Sequence, residues 1–285
     1  MLDRQRVLAV VVLYKMRFEQ SRGLASLLTV ISRENVLASA IDLMVCDNTP
    51  YEQQVPDGFS GQFYRDTTNP GLAHWYNIAL KNAEEAGIDW LLLLDQDTEV
   101  TDQYVREVVA ATEAMERNRE IVALVPKLEQ NGIVCSPLIP PTYRPPLPFN
   151  KNFTGVASSK LHVFNSGSVL RVSALRDIGG FPQDFPLDYL DHATFAALQS
   201  HKGRLFVLES VLMHELSSNE IWRTDAAAIA RHRSTLLAEQ RFYDLNGSVL
   251  DRIYRRIRLF RGALGILVRH GAIAWSFRMM RAALR

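Results

Sequence analysis

Trp90-Leu91-Leu92-Leu93-Leu94-Asp95-Gln96-Asp97-Thr98 decides how the rest of the chain is read. Five apolar residues in unbroken succession have the pattern of a strand buried on both faces. Two carboxylates at alternate positions then leave its end together, where a divalent cation bridging phosphate oxygens needs hard oxygen ligands. The same pair also suits a plain strand-to-turn transition in which Asp97 caps the segment that follows.

Outward from this run, residues 7–14, 40–47 and 61–64 are short apolar or alternating segments between polar turns, and they predict further strands. Residues 21–32 set Leu24, Leu27, Leu28 and Ile31 at helical spacing, and 72–86 carry a similar apolar face. Alternation of strand and helix predicts an α/β fold with a Rossmann-like, mostly parallel central sheet flanked by helices. Ligands of such sheets lie beyond the carboxyl ends of the strands, so chemistry belongs to the polar residues that follow each apolar run.

Past residues 122–125 the pattern changes. Pro137, Pro140, Pro141, Pro145, Pro146 and Pro148 put half of the twelve prolines into one stretch. That excludes helix and central strand, and predicts an irregular loop that is either a solvated connection or the wall of a cleft. Beyond it the sequence predicts strands at 161–164 and 169–172 around a small-residue turn, Asn165-Ser166-Gly167-Ser168, with a helix from Ser173. A strand at 205–213 and a long helix at 224–245 follow, and 252–285 reads as helix with interruptions at Gly262, Gly265 and Gly271.

The 285 residues are 47% hydrophobic and 22% charged, which is globular composition and excludes a fibre or a disordered tail. Their formal net charge of +1 hides an asymmetry. Nine arginines and no acid lie in 252–285, leaving residues 1–251 with 23 basic against 31 acidic side chains, a net of −8. The near-zero total gives no basic coat for nucleic acid, and no recognition motif accompanies the arginines, so no nucleic-acid partner is expected. Cys46 and Cys135 each sit in an apolar stretch, which argues for burial or a reducing compartment rather than a disulfide framework. Residues 7–14 follow Arg4 and Arg6 in the manner of a signal peptide, but the run is short and no small-residue cleavage pattern follows, so a first buried strand is expected. No run reaches the ~18 apolar residues of a membrane-spanning helix, because Arg269 and His270 break the late candidate.

The order of the motifs narrows the reading. Leu13-Tyr14, Cys46-Asp47-Asn48-Thr49, Asn69-Pro70-Gly71-Leu72-Ala73 leading to Asn77, and Leu94-Asp95-Gln96-Asp97-Thr98 succeed one another. This order resembles the nucleotide-sugar-binding half of inverting family-2 glycosyltransferases of the GT-A fold, and most of all bacterial rhamnosyltransferases that use dTDP-L-rhamnose. Phe164-Asn165-Ser166-Gly167-Ser168, Ile178-Gly179-Gly180-Phe181, Leu187-Asp188-Tyr189-Leu190-Asp191 and Met213-His214 continue the likeness, which spans roughly residues 5–220.

The resemblance implies a GT-A domain over 1–220, with a nucleotide-sugar-binding half at 1–100 and an acceptor and catalytic half at 101–220. A C-terminal helical, basic amphipathic extension at 221–285 lies outside it. The resemblance also implies roles. Tyr14 lies against the donor base and Asp47 accepts a hydrogen bond from its ring N–H. Asn69, Gly71 and Asn77 shape the donor pocket, and Asp95 contacts the ribose or sugar. Asp97 and His214 hold Mg2+ or Mn2+. Asp191 is the catalytic base that takes the proton of the acceptor hydroxyl, with Asp188 as its competitor, and Asn165-Ser166-Gly167-Ser168 lines the acceptor cleft. The residues alone leave blander readings open: an Asp-Asn turn at Asp47, an Asn-Pro-Gly turn at Gly71, helix-terminal acids at Asp188 and Asp191, and a packed histidine at His214.

The implied function is inverting, metal-dependent transfer of L-rhamnose from dTDP-L-rhamnose to lipopolysaccharide or another glycan or lipid-linked glycan acceptor. Its implied place is the cytoplasmic face of the cell membrane. Use of another dTDP- or UDP-sugar, or a catalytically inactive relative that binds membrane or glycan, are the alternatives. A sugar-1-phosphate nucleotidyltransferase would need a Gly-rich loop after the first strand, and residues 10–20 contain no glycine. In the tail, Ile253, Ile257, Phe260, Leu264 and Leu267 recur at spacings of four, three, four and three, while Arg252, Arg255, Arg256, Arg258 and Arg261 take other positions. This predicts an amphipathic helix on an anionic membrane surface, with Trp275, Phe277, Met279 and Met280 as later anchors. The alternative is a basic helix packed on the acidic body or on a second copy in a homo-oligomer.

Overall fold

The computed structural model describes residues 6–140, 145–214, 226–270 and 273–284. The chain divides into two compact units, Met1–Ile139 with Pro148–Glu215, and Pro140–Leu147 with Leu216–Arg285.

In the first unit, β1 (Val7–Leu13), α1 (Arg22–Arg33), α2 (Asn35–Ala40), β2 (Ile41–Asp47), β3 (Gln62–Arg65), α3 (Leu72–Glu85) and β4 (Trp90–Asp95) realise the predicted alternation. They are followed by α4 (Asp102–Ala114), β5 (Ile121–Gln130), β6 (Ile133–Ser136), and the two-residue strands β7 (Leu138–Ile139), β8 (Leu147–Pro148) and β9 (Gly155–Val156). Then come β10 (Ser168–Arg171), α5 (Val172–Asp177), α6 (Leu190–Ser200) and β11 (Arg204–Met213). The central sheet runs β3-β2-β1-β4-β10-β5-β11-β9, with β6 on β5. β1 is parallel to both β2 and β4, and β11 is parallel to β5, whereas β10 is antiparallel to both of its neighbours. Trp90 to Leu94 are at most 1% exposed, as an interior strand covered on both faces requires.

Helix α1 is placed by the end of β4. The Ser21 hydroxyl accepts from Leu24 N–H at 3.2 Å as an N-cap and donates to the Gln96 carbonyl at 2.8 Å. A Cβ on Gly23 would stand 2.3 Å from the Asp95 carbonyl, so only glycine lets the helix approach this closely. Leu24, Leu27 and Val30 are then buried in the core.

Two expectations are corrected, and one strand runs far beyond its apolar stretch. β5 continues well past residue 125, through Pro126 to Gln130. Pro126 has no N–H for the ladder, and β11 shifts register there, with Val207 opposite Val125 and Val211 opposite Lys127. The Glu107 carboxylate receives the displaced Ser210 N–H at 2.9 Å, and the Lys127 ammonium donates to the Glu209 carbonyl at 3.0 Å. Residues 161–164 form no strand; His162 makes only an isolated bridge to Leu138. The proline stretch is interrupted by the short strands β7 and β8, so it is not irregular throughout.

One charge unannounced by the pattern is also buried. Arg171 lies 4.1 Å over the Trp90 ring and donates to the carbonyls of Ile121, Met115 and Asn118. It thereby ties the turn after α4 to the sheet. Cys46 is buried in β2 and Cys135 half-buried, and both are free thiols.

The second unit contains α7 (Ala226–Asn246), α8 (Val249–His270) and α9 (Ile273–Ala283). Ser248 and Asp251 exchange hydrogen bonds as a capping box that starts α8. Gly262 and Gly265 do not interrupt α8, contrary to expectation; the break falls after His270, and Gly271 lies outside the described residues. A Cβ on Gly262 would meet Met279 at 2.9 Å, and Ser276 donates to the Ala263 carbonyl at 2.7 Å, so small residues there let α9 pack closely. Arg255, expected among the surface cations, is 3% exposed: it pairs with Glu239 at 3.2 Å and donates to the carbonyls of Leu236 and Ala282. The interior of this unit is Phe242, Leu259, Ala263, Trp275 and Ala283, whereas Ile253, Ile257, Phe260 and Leu264 are exposed. Among the described residues no helix is long and apolar enough to cross a membrane.

Candidate functional site

The register of the three parallel strands brings the polar ends of the sequence runs to one edge. Leu13 is opposite Asp47, and Val12 is opposite Asp95, so Tyr14, Asp47 and Asp95 leave adjacent strands side by side. The junction is fastened by Gln96, whose role the sequence reading missed. Its amide accepts from Tyr14 N–H at 2.8 Å and donates to the Tyr14 carbonyl at 3.3 Å. Alternation along a strand is the signal that could have found it, because Gln96 must point away from Asp95 and Asp97.

Asp95, Asp97 and His214 converge: one ligand atom of each lies within 4.8 Å of the others. Two hard carboxylates and an imidazole, all half-buried, form a donor set that fits a divalent metal ion. His214 arrives from the far side of the sheet at the end of β11, where its N–H donates to the Glu129 carbonyl at 3.0 Å. Its Nδ1 is 3.0 Å from the Thr98 hydroxyl, which receives a hydrogen bond from Ser166 at 2.8 Å. With Nδ1–H donating to Thr98, the Nε2 lone pair is left for a ligand, which is the orienting arrangement metal-bound histidines use.

Burial, then the charges of Asp97 and Asp191, pushes the Asp95 carboxyl up to about 7, with a hydrogen bond from Ser166 opposing. Burial, then the charges of Asp95 and Asp191, raises the phenol of Tyr76. Asp191 therefore lies within electrostatic reach of Asp95, although it comes from the first turn of α6. Its Oδ1 accepts the His192 N–H at 2.7 Å. Asp188 lies half-buried in the turn before that helix.

Asp47 is fully buried; its Oδ1 accepts from Thr49 N–H at 2.9 Å, the Asx turn that the Asp-Asn pair suggested. Its Oδ2 is 3.5 Å from Arg65 Nε and makes no hydrogen bond among the described residues. Tyr14 presents a ring that is 41% exposed.

Gly71 and Asn77 make contacts that no local motif announced. A Cβ on Gly71, at φ 94°, would stand 2.6 Å from the Pro186 carbonyl, and that carbonyl accepts from Leu72 N–H at 2.8 Å. Asn77 donates to the Phe181 carbonyl and accepts from Phe181 N–H, both at 2.8 Å. Helix α3 thus grips at two points the segment that leads into Asp188 and Asp191. Asn69 is exposed at φ 54° in the preceding turn. Asn165, Ser166 and Ser168 are buried rather than lining an open cleft, and Ser166 sits beneath Asp95 and Thr98.

No protein-family model and no curated protein matches the sequence. Solved structures resemble the fold. S. aureus TarS 1-349 in complex with UDP-GlcNAc is 13% identical with a TM-score of 0.53, over 98% of this chain and 90% of that one. Mannosyltransferase PcManGT from Pyrobaculum calidifontis in complex with GDP-Man and Mn2+ is 13% identical with a TM-score of 0.50, over 99% and 87%. The chain spans 55% of the longer S. aureus TarS structure. Sheet order and neighbours together give the GT-A fold, a mostly parallel sheet flanked by helices with a C-terminal helical region.

Proposed function

We propose that this chain is an inverting, metal-dependent glycosyltransferase whose donor is a nucleotide sugar, dTDP-L-rhamnose before any other. The observation that carries this reading is the convergence of Asp95, Asp97 and His214 at the carboxyl edge of a GT-A sheet, with the charge of Asp191 reaching Asp95. Asp97 and His214, with Asp95 beside them, would hold Mg2+ or Mn2+, and such an ion neutralises charge gathering on a diphosphate leaving group. Thr98 and Ser166 orient His214 for that duty.

Asp47 supplies a buried carboxylate oxygen with hydrogen-bonding capacity in hand, which suits the ring N–H of thymine or uracil, and the exposed Tyr14 ring offers a face for the base. Asp95 addresses the ribose or sugar. Gly71 and Asn77 serve the pocket through the segment they hold, and Asn69 through the turn before α3. Asp191 accepts the proton of the acceptor hydroxyl as that oxygen attacks the anomeric carbon, from the first turn of α6.

The acceptor is a glycan or lipid-linked glycan of the lipopolysaccharide type, met at the cytoplasmic membrane face. Support comes from the exposed Ile253, Ile257, Phe260 and Leu264, which stand among exposed Arg252, Arg256 and Arg261 on α8. A transfer and hydrolysis screen over dTDP-rhamnose, UDP-glucose, UDP-GlcNAc and GDP-mannose, with and without Mn2+, tests the reading. Metal-dependent turnover of dTDP-rhamnose is expected. Turnover of another donor alone would change the sugar and keep the reaction, whereas no binding or turnover of any donor would overturn the enzyme.

A further inference from the structure

A groove of about 270 Å3 lies between α7 and α9, on helices that supply no residue to the Asp95 site. Its charged lining is Arg233, Arg278 and Arg281, with no acidic residue, and Leu236, Leu237 and Ala282 form the apolar wall beside Gln240. Among the described residues none of the three arginines has a carboxylate partner. The nearby acid on α7, Glu239, turns the other way to Arg255 and Arg258. Three cations gathered without counter-charge repel one another, and such a cluster is relieved by a bound anion.

A second observation points the same way. Arg278 Nη1, His232 Nδ1 and Trp275 Nε1 are buried and make no hydrogen bond among the described residues. The His232 and Trp275 rings meet at 4.2 Å, and the Arg278 guanidinium lies 5.8 Å from the Trp275 centroid. Buried polar atoms are nearly always satisfied in folded proteins, so this set marks a place where a partner is missing. Burial, and after it the charge of Arg278, lowers the His232 pKa, so the imidazole adds no positive charge beside that guanidinium. The groove is built rather than incidental: the buried Arg255 reaches behind it to the carbonyls of Leu236 and Ala282, fixing both walls.

We infer that this groove binds a membrane lipid through its phosphate, the three guanidiniums taking the phosphoryl oxygens and Leu236, Leu237 and Ala282 the first methylenes of the chain. Arginine forks match phosphate geometry bidentately, and an apolar wall beside them selects an amphiphile over a free anion. The inference does not depend on the donor or on catalysis. It differs from adsorption through the exposed face of α8, because a groove saturates at one ligand per chain.

The test is calorimetric titration of the full chain with monodisperse dihexanoyl phosphatidic acid. Saturable one-to-one binding is expected, weakened ten-fold or more in the pair Arg233→Gln with Arg281→Gln. It should stay within two-fold of wild type in Arg252→Gln with Arg261→Gln, which removes equal charge from α8. Leu237→Asp, at a site 46% exposed and so harmless to folding, should abolish binding. Absence of saturation, or equal weakening by both arginine pairs, would overturn the groove. Equal affinity for inorganic phosphate would overturn the lipid as its occupant.

Discussion

The side-chain amide of Asn77 closes a two-bond ring with the backbone of Phe181, donating to its carbonyl and accepting from its N–H at 2.8 Å each. Gly180 makes the approach feasible, since at φ 85° a Cβ there would stand 2.4 Å from Asn77 Oδ1. Asn77→Ala strands both backbone groups and should lower stability by about 2 kcal/mol. If the ring serves the donor pocket and Asp191 through the segment it holds, kcat should fall and donor KM should rise. Denaturant unfolding and steady-state kinetics on one preparation check this; unchanged kcat in a destabilised variant would make the ring purely structural.

Metal binding should depend on pH with a definite sign. An Asp95 carboxyl raised to about 7 must lose its proton before it can ligate, so Mn2+ affinity should drop up to ten-fold per unit below pH 7. A carboxyl with a raised folded-state pKa also removes stability as pH climbs from the ordinary carboxylate range through 7. The metal-free protein should therefore melt lower at pH 8 than at pH 6, and Mn2+ should raise Tm more at pH 8. Asp97→Ala and His214→Ala should each weaken Mn2+ binding ten-fold or more, measured by titration; an unaltered titration would remove that residue from the site.

For the proton acceptor, Asp191→Asn should reduce transfer at least a thousand-fold, within the range expected of a general base, with donor affinity within a few-fold. Asp188→Asn should retain most activity. The reverse result would exchange their roles, and loss of donor binding in Asp191→Asn would remove it from the base position.

Membrane attachment is better tested by point changes than by removing the tail. Arg255→Ala leaves the buried Glu239 with Arg258 and takes the donor from the carbonyls of Leu236 and Ala282, and should destabilise the helical unit by about 1–3 kcal/mol. A deletion from residue 252 would do at least as much harm. Ile257→Ser with Phe260→Ser alters only exposed side chains, and should cut sedimentation with anionic vesicles ten-fold or more while circular dichroism stays unchanged. Undiminished sedimentation would refute the α8 face as the anchor.

The strands through β4 and helices α1 and α3 were legible because each obeys one local rule, such as an apolar run for β1 and β4 and a 3.6-residue period for α1 and α3. The metal group was legible for a related reason, since Asp95 and Asp97 end a run and His214 ends another. What escaped was held by contacts distant in sequence. Gly71 reads as a turn residue until Pro186 is seen against it, and Asn77 reads as one helical polar residue among others until Phe181 is found across from it. Arg255 looked like surface charge because its partner Glu239 is 16 positions earlier on a different helix. Residues 161–164 have the composition of a strand, yet the sheet there is filled by β10, and only His162 finds a backbone partner.

The Pro186 carbonyl accepts from both Leu72 and Ala73 at the start of α3. Helix N-termini are ready anion sites because their first N–H groups lack partners. Here two of those donors are already taken by the protein's own backbone, which weakens the start of α3 as a diphosphate site. In the proposed reaction, a departing nucleoside diphosphate would then rely on a cation for its neutralisation. Under the proposed reaction, metal dependence would follow from how one loop is docked, and adding salt or basic additives should not substitute for the ion.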